Sequence, residues 1–250
     1  MIHTSEKIKE TPIKKTLKEN EVHIWSARLN IPEVKLKKWQ LSLSPDEIQR
    51  AYRFHFIKDQ NHFIVARGVL RKILSYYIDR QPYEIKFEYN KYGKPFIGHE
   101  LNDVPLRFNL SHSYGMSLYA IAAGREVGVD IEYIRENFSD IEIAERFFSH
   151  DEVTALKSLP AIFQNKAFFL CWTRKEAFIK AKGAGLSIPL DQFDVSLAPE
   201  QPAKLLRTKY DRHDVNRWTL FDIDLFSGYA AAVAVTGQNV QVNYQCSNEF

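Results

Sequence analysis

The sequence predicts an α+β fold in which strands and helices mix in both halves of the chain. Three observations carry that expectation. Runs of alternating or continuous β-branched and aromatic residues recur from residue 22 to residue 236. Two longer stretches place apolar residues at helical spacing. Helix caps and glycine turns punctuate both kinds of segment. With 250 residues, 45% hydrophobic and 26% charged, the chain can bury the core of one large domain or two small ones.

The first 20 residues are lysine-rich and polar and read as a flexible arm. "VHIWSARL" (22–29) alternates as a strand. "LSPDEIQRAYRF" (43–54) opens with Ser44, Pro45 and Glu47, a capping box with proline in the first turn, and so starts a helix. A second helix is expected over 60–79, with Leu70, Ile73, Leu74, Tyr77 and Ile78 on one face. "IKFEYNKYGKPFI" (85–97) is a strand pair or a strand and a turn, with Gly93 as turn residue, and "LRFNLSHS" (106–113) is a strand. The runs 116–124 and 127–134 flank Gly124 and are expected to form a hairpin. One or two helices follow over 139–158, with Phe147 and Phe148 ending the first, and a longer one over 163–182, stopped by Gly183. Strands at 192–197, 218–224 and 229–236 complete the set, with a domain boundary expected near Gly115.

The net charge of +3 is too small to point to nucleic acid, but suits an anionic ligand or an acidic partner. Cys171 and Cys246 have no zinc-type or CxxC spacing, which favours a reducing, cytoplasmic setting. No apolar run approaches the roughly 20 residues of a membrane span, and the N-terminus lacks the apolar segment of a secretory signal.

The chemistry is concentrated in four motifs. In "GVDIE" (128–132), residues two apart share a strand face, so Asp130 and Glu132 lie together, about 7 Å apart at Cα, with Gly128 beside them. Val127, Val129, Ile131 and Tyr133 face the other way, toward a core. Spacing alone leaves a solvated strand face as the ordinary reading and a cation site as the alternative. In "WTRKEAFIKAKGAGL" (172–186), Trp172, Glu176 and Lys180 share a helix face, either as a surface ion pair over a core or as a third carboxylate with a phosphate-seeking ammonium. In "NLSHS" (109–113), adjacent Ser111 and His112 point to opposite faces, which argues against a nucleophile pair. "YGKP" (92–95) is a turn carrying Lys94. Arg50, Arg53, Arg67 and Arg71 on the early helices read as solvated helix faces.

Taken in order, "SPDEIQRAYRF", "ARGVLRKIL", "YGKPFI", "NLSHS", "GVDIE", "RFFSHDE" and "WTRKEAFIKAKGAGLSIPL" closely resemble the 4′-phosphopantetheinyl transferases of the surfactin-synthetase-activating type, over about residues 44–197. The most specific part is Asp130-x-Glu132 followed by Trp172-x-x-Lys175-Glu176-Ala177-Phe178-x-Lys180. The resemblance implies a monomer of two similar α/β halves related by a pseudo-twofold axis: an N-terminal subdomain (21–115) with nucleotide and phosphate contacts, and a C-terminal subdomain (116–250) with the metal and catalytic residues. It implies Mg²⁺-dependent transfer of phosphopantetheine from coenzyme A to a serine of an apo acyl or peptidyl carrier protein, releasing 3′,5′-ADP, with no role for nucleic acid or membrane.

By the same resemblance, Asp130, Glu132 and Glu176 would hold Mg²⁺, with Asp130, Glu176 and Lys180 as the catalytic set. Glu176 would act as base, and Lys180 would meet the phosphate under attack. Asn109, Ser111 and His112 would lie on the coenzyme A phosphates, Gly93, Lys94 and Pro95 on the nucleotide, and Arg50 near the 3′-phosphate. The carrier would dock on 133–170, with Phe138 and Phe147 as plausible apolar contacts. Glu47 and His62 depart from relatives that are basic or carry arginine there. Spaced acids with a lysine also occur in Mg²⁺-dependent nucleases, although no dense basic patch accompanies them here. A metal-independent binding module is the other alternative.

Overall fold

The computed structural model describes residues 14–98, 105–136, 140–246 and 250. Two antiparallel-dominated sheets form the centre. The first has the order β11-β1-β5-β4, built from β1 (Glu21–Arg28), β4 (Leu106–Ser113), β5 (Met116–Ala123) and β11 (Gln241–Tyr244). The second has the order β6-β10-β9, built from β6 (Val127–Tyr133), β9 (Trp218–Asp222) and β10 (Tyr229–Thr236). Val22, Ile24, Leu118, Ala120 and Ala122 of the first pack on Val127, Val129, Ile131, Val233 and Val235 of the second. The alternation legible in each strand therefore turns one face of each sheet toward the other.

One long helix covers the outer face of each sheet. α3 (Ile57–Ser75) packs Val69, Leu70, Ile73 and Leu74 against Trp25, Phe108, Tyr119 and Ile121. α6 (Ala161–Lys182) packs Ala177, Phe178 and Ala181 against Ala230, Ala232, Ala234 and Leu220. The result is four layers, helix-sheet-sheet-helix, an α+β fold in which both halves repeat one theme. Shorter elements dress this frame. α1 (Glu33–Gln40) and α2 (Pro45–Ala51) lie by α3, and β2 (Glu88–Tyr89) pairs with β3 (Pro95–Phe96). α4 (Asp140–Phe147) and α5 (His150–Ser158) lie by α6; β7 (Phe193–Val195) pairs with β8 (Leu205–Thr208), and α7 (Asp214–Arg217) precedes β9.

Several expectations change. The hairpin expected across Gly124 does not form. β5 pairs with β4 and β1, and β6 pairs with β10. Gly124, at φ +64, turns the chain from one sheet to the other rather than back along the same sheet. The hairpin is instead β4–β5, closed by Tyr114 and Gly115 at φ +45 and +86, the two positive angles that a two-residue loop requires. β5 thus joins the first sheet, and a division at 115/116 would cut it. α1 was not foreseen, and α3 runs 57–75 rather than 60–79. The run 139–158 resolves into two helices. Of the expected arm, residues 1–13 lie outside the described part. Lys15 donates its backbone N–H to Tyr76 O at 2.7 Å and its ammonium to Gln245 Oε1 at 2.8 Å, and Leu17 packs on the first core.

Arg67 and Arg71 are buried, not solvated. Both converge on Glu47, which is 1% exposed: Arg67 Nε reaches Oε1 at 2.8 Å, and Arg71 Nε reaches Oε2 at 2.7 Å. Arg71 also donates to Pro82 O and Ile85 O, each at 2.8 Å. The departure at Glu47 is therefore the centre of a charge-assisted lock joining α2 to α3.

Candidate active site

β6 presents Asp130 and Glu132 on the face away from the inter-sheet core, as its period requires. That face is covered by α6 rather than by solvent. A methyl group on Gly128 would stand 2.2 Å from Ala177 O and 2.3 Å from Ala181 N. Only a residue without Cβ lets the helix backbone come this close, and the close approach carries Glu176 and Lys180 over Asp130.

Two buried cations on the same helix fix how it sits. Lys175 Nζ reaches Glu152 Oε2 at 2.7 Å, Leu190 O at 2.7 Å and Phe193 O at 2.5 Å. Arg174 forks onto Asp222 at 2.8 and 2.7 Å and donates to Ser196 O at 2.6 Å. Glu152 in turn closes the capping box of α5 with Ser149 and accepts Val195 N at 2.8 Å. Sequence reasoning quoted "RFFSHDE" and "WTRKE" but could not pair them, because the carboxylate and the ammonium are 23 residues apart along the chain.

β4 holds the carboxylates from the other side. Asn109, Ser111 and Ser113, two apart, all reach β6. Asn109 Oδ1 accepts Val129 N at 2.9 Å, Ser111 Oγ donates to Asp130 Oδ1 at 2.8 Å, and Ser113 Oγ donates to Glu132 Oε2 at 2.7 Å. Ser113 was missed, although its spacing from Ser111 already placed both on one strand face. His112 points the opposite way, as expected, and is solvent-exposed. Lys180 Nζ completes the cluster at 2.6 Å from Asp130 Oδ1 and 2.9 Å from Ser111 Oγ.

The electrostatics are unbalanced. Asp130 is 2% exposed, and its Oδ2 is buried with no hydrogen-bond partner among the described residues. Burial, then the negative charge of Asp130, pushes the Glu176 carboxyl up to about 7, with Glu132 adding to the rise and Lys180 opposing it. Burial and Asp130 also raise Glu132. Partial desolvation, then the Lys180 ammonium, holds the His112 imidazole below its usual range. Oxygen donors with one orphaned carboxylate oxygen suit a hard cation. Among the described residues, no three carboxylate, imidazole or thiol groups converge closely enough to hold a metal ion as they stand. Lys180 occupies Asp130 Oδ1. Mg²⁺ is ordinarily held by one or two carboxylates, with waters and substrate phosphates completing its shell, so the donor set fits that mode.

Three pockets adjoin this cluster. One of ≈ 370 Å³ runs from Glu132 past Arg146, Phe147 and Trp172. Phe147 lies there, whereas Phe138 falls outside the described residues. A second, of ≈ 340 Å³, is bounded by His112, Ser113, Lys58 and His62. The third, of ≈ 250 Å³, is lined by Lys94, Pro95, Arg107 and Glu126. Lys94 Nζ donates to Val127 O and Ala181 O at 3.1 Å each, so it ties the β2–β3 turn to β6 and α6. Burial lowers its pKa to about 8. Asn90 Nδ2 adds a bond to Gly183 O at 2.7 Å. Gly93 holds the turn at φ +83. Arg50 is exposed on α2, with its guanidinium 5.6 Å from the Phe63 ring centre. The structure thus gathers Asp130, Glu132, Glu176, Lys180, Asn109 and Ser111 in one cluster, sets the Gly93–Pro95 turn beside it through Lys94, and leaves Arg50 on the exposed side of α2.

Similarity to known proteins agrees with this geometry. The family model described as the 4′-phosphopantetheinyl transferase superfamily matches residues 126–234, and that described as 4′-phosphopantetheinyl transferase, N-terminal, matches 33–126. The two meet at the β5–β6 turn, where the chain changes sheets. The chain is 40% identical to the 4′-phosphopantetheinyl transferase HetI of Nostoc sp. over 223 residues, 89% of this chain and 90% of that protein. It is 34% identical to the 4′-phosphopantetheinyl transferase gsp of Aneurinibacillus migulanus over 188 residues, 75% and 74% of the two chains. It is 32% identical to the 4′-phosphopantetheinyl transferase Sfp of Bacillus subtilis over 194 residues, 76% and 81% of the two. With both halves matched and the acidic motifs brought onto one site, the chain belongs to the 4′-phosphopantetheinyl transferases.

Proposed function

We propose that the chain moves 4′-phosphopantetheine from coenzyme A to a serine hydroxyl of an apo acyl or peptidyl carrier protein, with Mg²⁺, and releases 3′,5′-ADP. The serine Oγ forms a bond to the phosphorus that carries pantetheine, and the bridging bond to the nucleotide phosphate breaks. The hydroxyl proton passes to Glu176, and the displaced nucleotide phosphate keeps the electron pair of the broken bond. Such a transfer asks a protein for positioning and charge balance more than for covalent help.

The observation that carries the reading is the cluster of Asp130, Glu176 and Lys180. Glu176, pushed up to about 7, is matched to taking a proton near neutral pH. Lys180, now spent on Asp130, would meet an incoming phosphate. Asp130, Glu132 and Glu176 would hold Mg²⁺, which supplies charge neutralisation of the pyrophosphate when bound. Ser111 and Asn109 orient the β6 strand that bears two of these acids, and Ser111 and His112 would contact the coenzyme A phosphates. Gly93, Lys94 and Pro95 would receive the nucleotide, and Arg50 its outer phosphate. Both sides of the site come from one polypeptide, which suits a monomer, and we place the division into two subdomains at the β5–β6 turn.

Intact-mass measurement of an apo acyl carrier protein incubated with the protein, coenzyme A and Mg²⁺ tests the reading. The expected result is a gain of one phosphopantetheine that EDTA abolishes. No gain on an acyl or a peptidyl carrier protein from folded enzyme contradicts it.

A further inference from the structure

The α2–α3 connection keeps four large apolar side chains in water: Tyr52 is 61% exposed, Phe54 41%, Phe56 64% and Ile57 69%. Tyr114, at the tip of the β4–β5 hairpin, adds a fifth at 69%. Phe54 and Tyr114 border the same ≈ 340 Å³ pocket as His112 and Ser113, and Lys58 Nζ stands 5.7 Å over the Tyr114 ring. Since Ser113 holds Glu132, the Phe54 and Tyr114 edge of the patch shares a pocket with a residue that touches the active site, and Phe56 and Ile57 follow Phe54 directly in the chain.

Two of these residues stand where local physics asks for something else. Phe56 is the N-cap of the 19-residue α3, and no side chain among the described residues caps that helix. Serine, threonine, aspartate or asparagine at such a position is typically worth about 1 kcal/mol. Tyr114 adopts φ +45 in a hairpin loop that favours asparagine, aspartate or glycine. Apolar surface held in water against both preferences is the mark of a recognition surface. The local charge sets the sign of the partner: Arg53 and Lys58 are exposed around the patch, and Asp59 is the one acid between residues 50 and 59.

We propose that this patch is a docking arm for the carrier protein, contributed by the first half of the molecule. An amphipathic helix of the apo carrier lays its apolar face on Phe56 and Ile57, with its acidic flank toward Arg53 and Lys58, and so brings its serine to Glu176. The inference rests on the phosphopantetheinyl-transfer reading and extends the docking surface beyond the second-half residues near Phe147.

The test is steady-state transfer to an apo acyl carrier protein by the double variant Phe56→Ser, Ile57→Ser. Serine is a favoured N-cap, so thermal unfolding should be unchanged or raised. The expected result is a KM for the apo carrier raised about 10-fold or more, the loss of one or two anchor contacts, with KM for coenzyme A and kcat at saturating carrier unchanged. Arg53→Glu with Lys58→Glu should raise the carrier KM in the same way, and the effect should shrink as salt is added. An unchanged carrier KM in both double variants, with a parent protein that transfers normally, overturns the docking arm alone. So does loss of parent binding to phosphatidylglycerol vesicles in the Phe56→Ser, Ile57→Ser variant without any change in carrier KM, which would assign the patch to lipid. A parent protein that transfers nothing overturns the transferase reading, and the docking arm with it.

Discussion

The two halves solve one packing problem and reach different electrostatic ends. Each lays a long helix on a sheet, and each locks that helix with buried cations. On α3 these are Arg67 and Arg71, gathered on Glu47; on α6 they are Arg174 and Lys175, held by Asp222 and Glu152. In the first half, both oxygens of the central carboxylate are engaged. In the second, Glu176, next to Lys175 on α6, is pushed up to about 7, and Asp130 on the facing β6 keeps a buried oxygen with no hydrogen-bond partner among the described residues. Similar scaffolds thus give a saturated, structural cluster on one side and an unsaturated, reactive one on the other. Unsatisfied buried polarity is costly, and it persists here where a cation and a phosphate would complete it.

Breaking the two locks should give the largest effects. Glu47→Ala strands Arg67 and Arg71, and Lys175→Ala strands Glu152; each should cost on the order of 3–5 kcal/mol in denaturant unfolding. Only the second should also lower turnover per folded molecule, since only α6 carries Glu176. Equal turnover losses in both variants would erase the distinction between the halves. The two close approaches sharpen the same contrast. Gly128→Ala drives a methyl against helix backbone, which cannot yield, and should cost about 2–3 kcal/mol together with activity. Gly68→Ala meets Trp39 Cβ at 2.8 Å and Trp39 Cα at 3.1 Å, so α1 must shift to admit it, and should cost about 1–3 kcal/mol with activity kept.

The last effect concerns pH. Glu176 holds its proton more tightly in the folded chain, with a value of about 7 against 4.5 for the free group. Stability therefore falls as pH rises through that window. Glu176→Gln removes the slope. It should be more stable than the parent by about 1–3 kcal/mol at pH 8, at about 1.4 kcal/mol per pKa unit, and equal to it below pH 4.5. Unfolding curves at three pH values decide this. Parallel pH profiles would show that Glu176 is not strained.

Much of this contrast was legible in the sequence. The period of "GVDIE" put both acids on one face, the capping box at Ser44 started α2, and Gly183 stopped α6 at φ +66. What escaped has a common physical cause. A turn at Gly124 shows that the chain changes direction, but not which strand it will meet, so the β5–β6 hairpin was misassigned. Arg67, Arg71, Arg174 and Lys175 look like any surface cation until partners 20 to 48 residues away bury them. α1 is lysine-rich, preceded by Pro32 without a side-chain cap, and buries one residue, Trp39, so its pattern is weak. The strand face beside Asp130 read as solvated because nothing in five residues foretells a helix lying on Gly128.

The central claim is that the unsaturated cluster on α6 and β6 performs the transfer. The direct measurement is phosphopantetheine transfer to an apo carrier protein by Glu176→Ala and by Asp130→Ala, with thermal unfolding recorded on the same samples. The account predicts near-complete loss of turnover in both, with the fold retained. Full activity in either folded variant would contradict it.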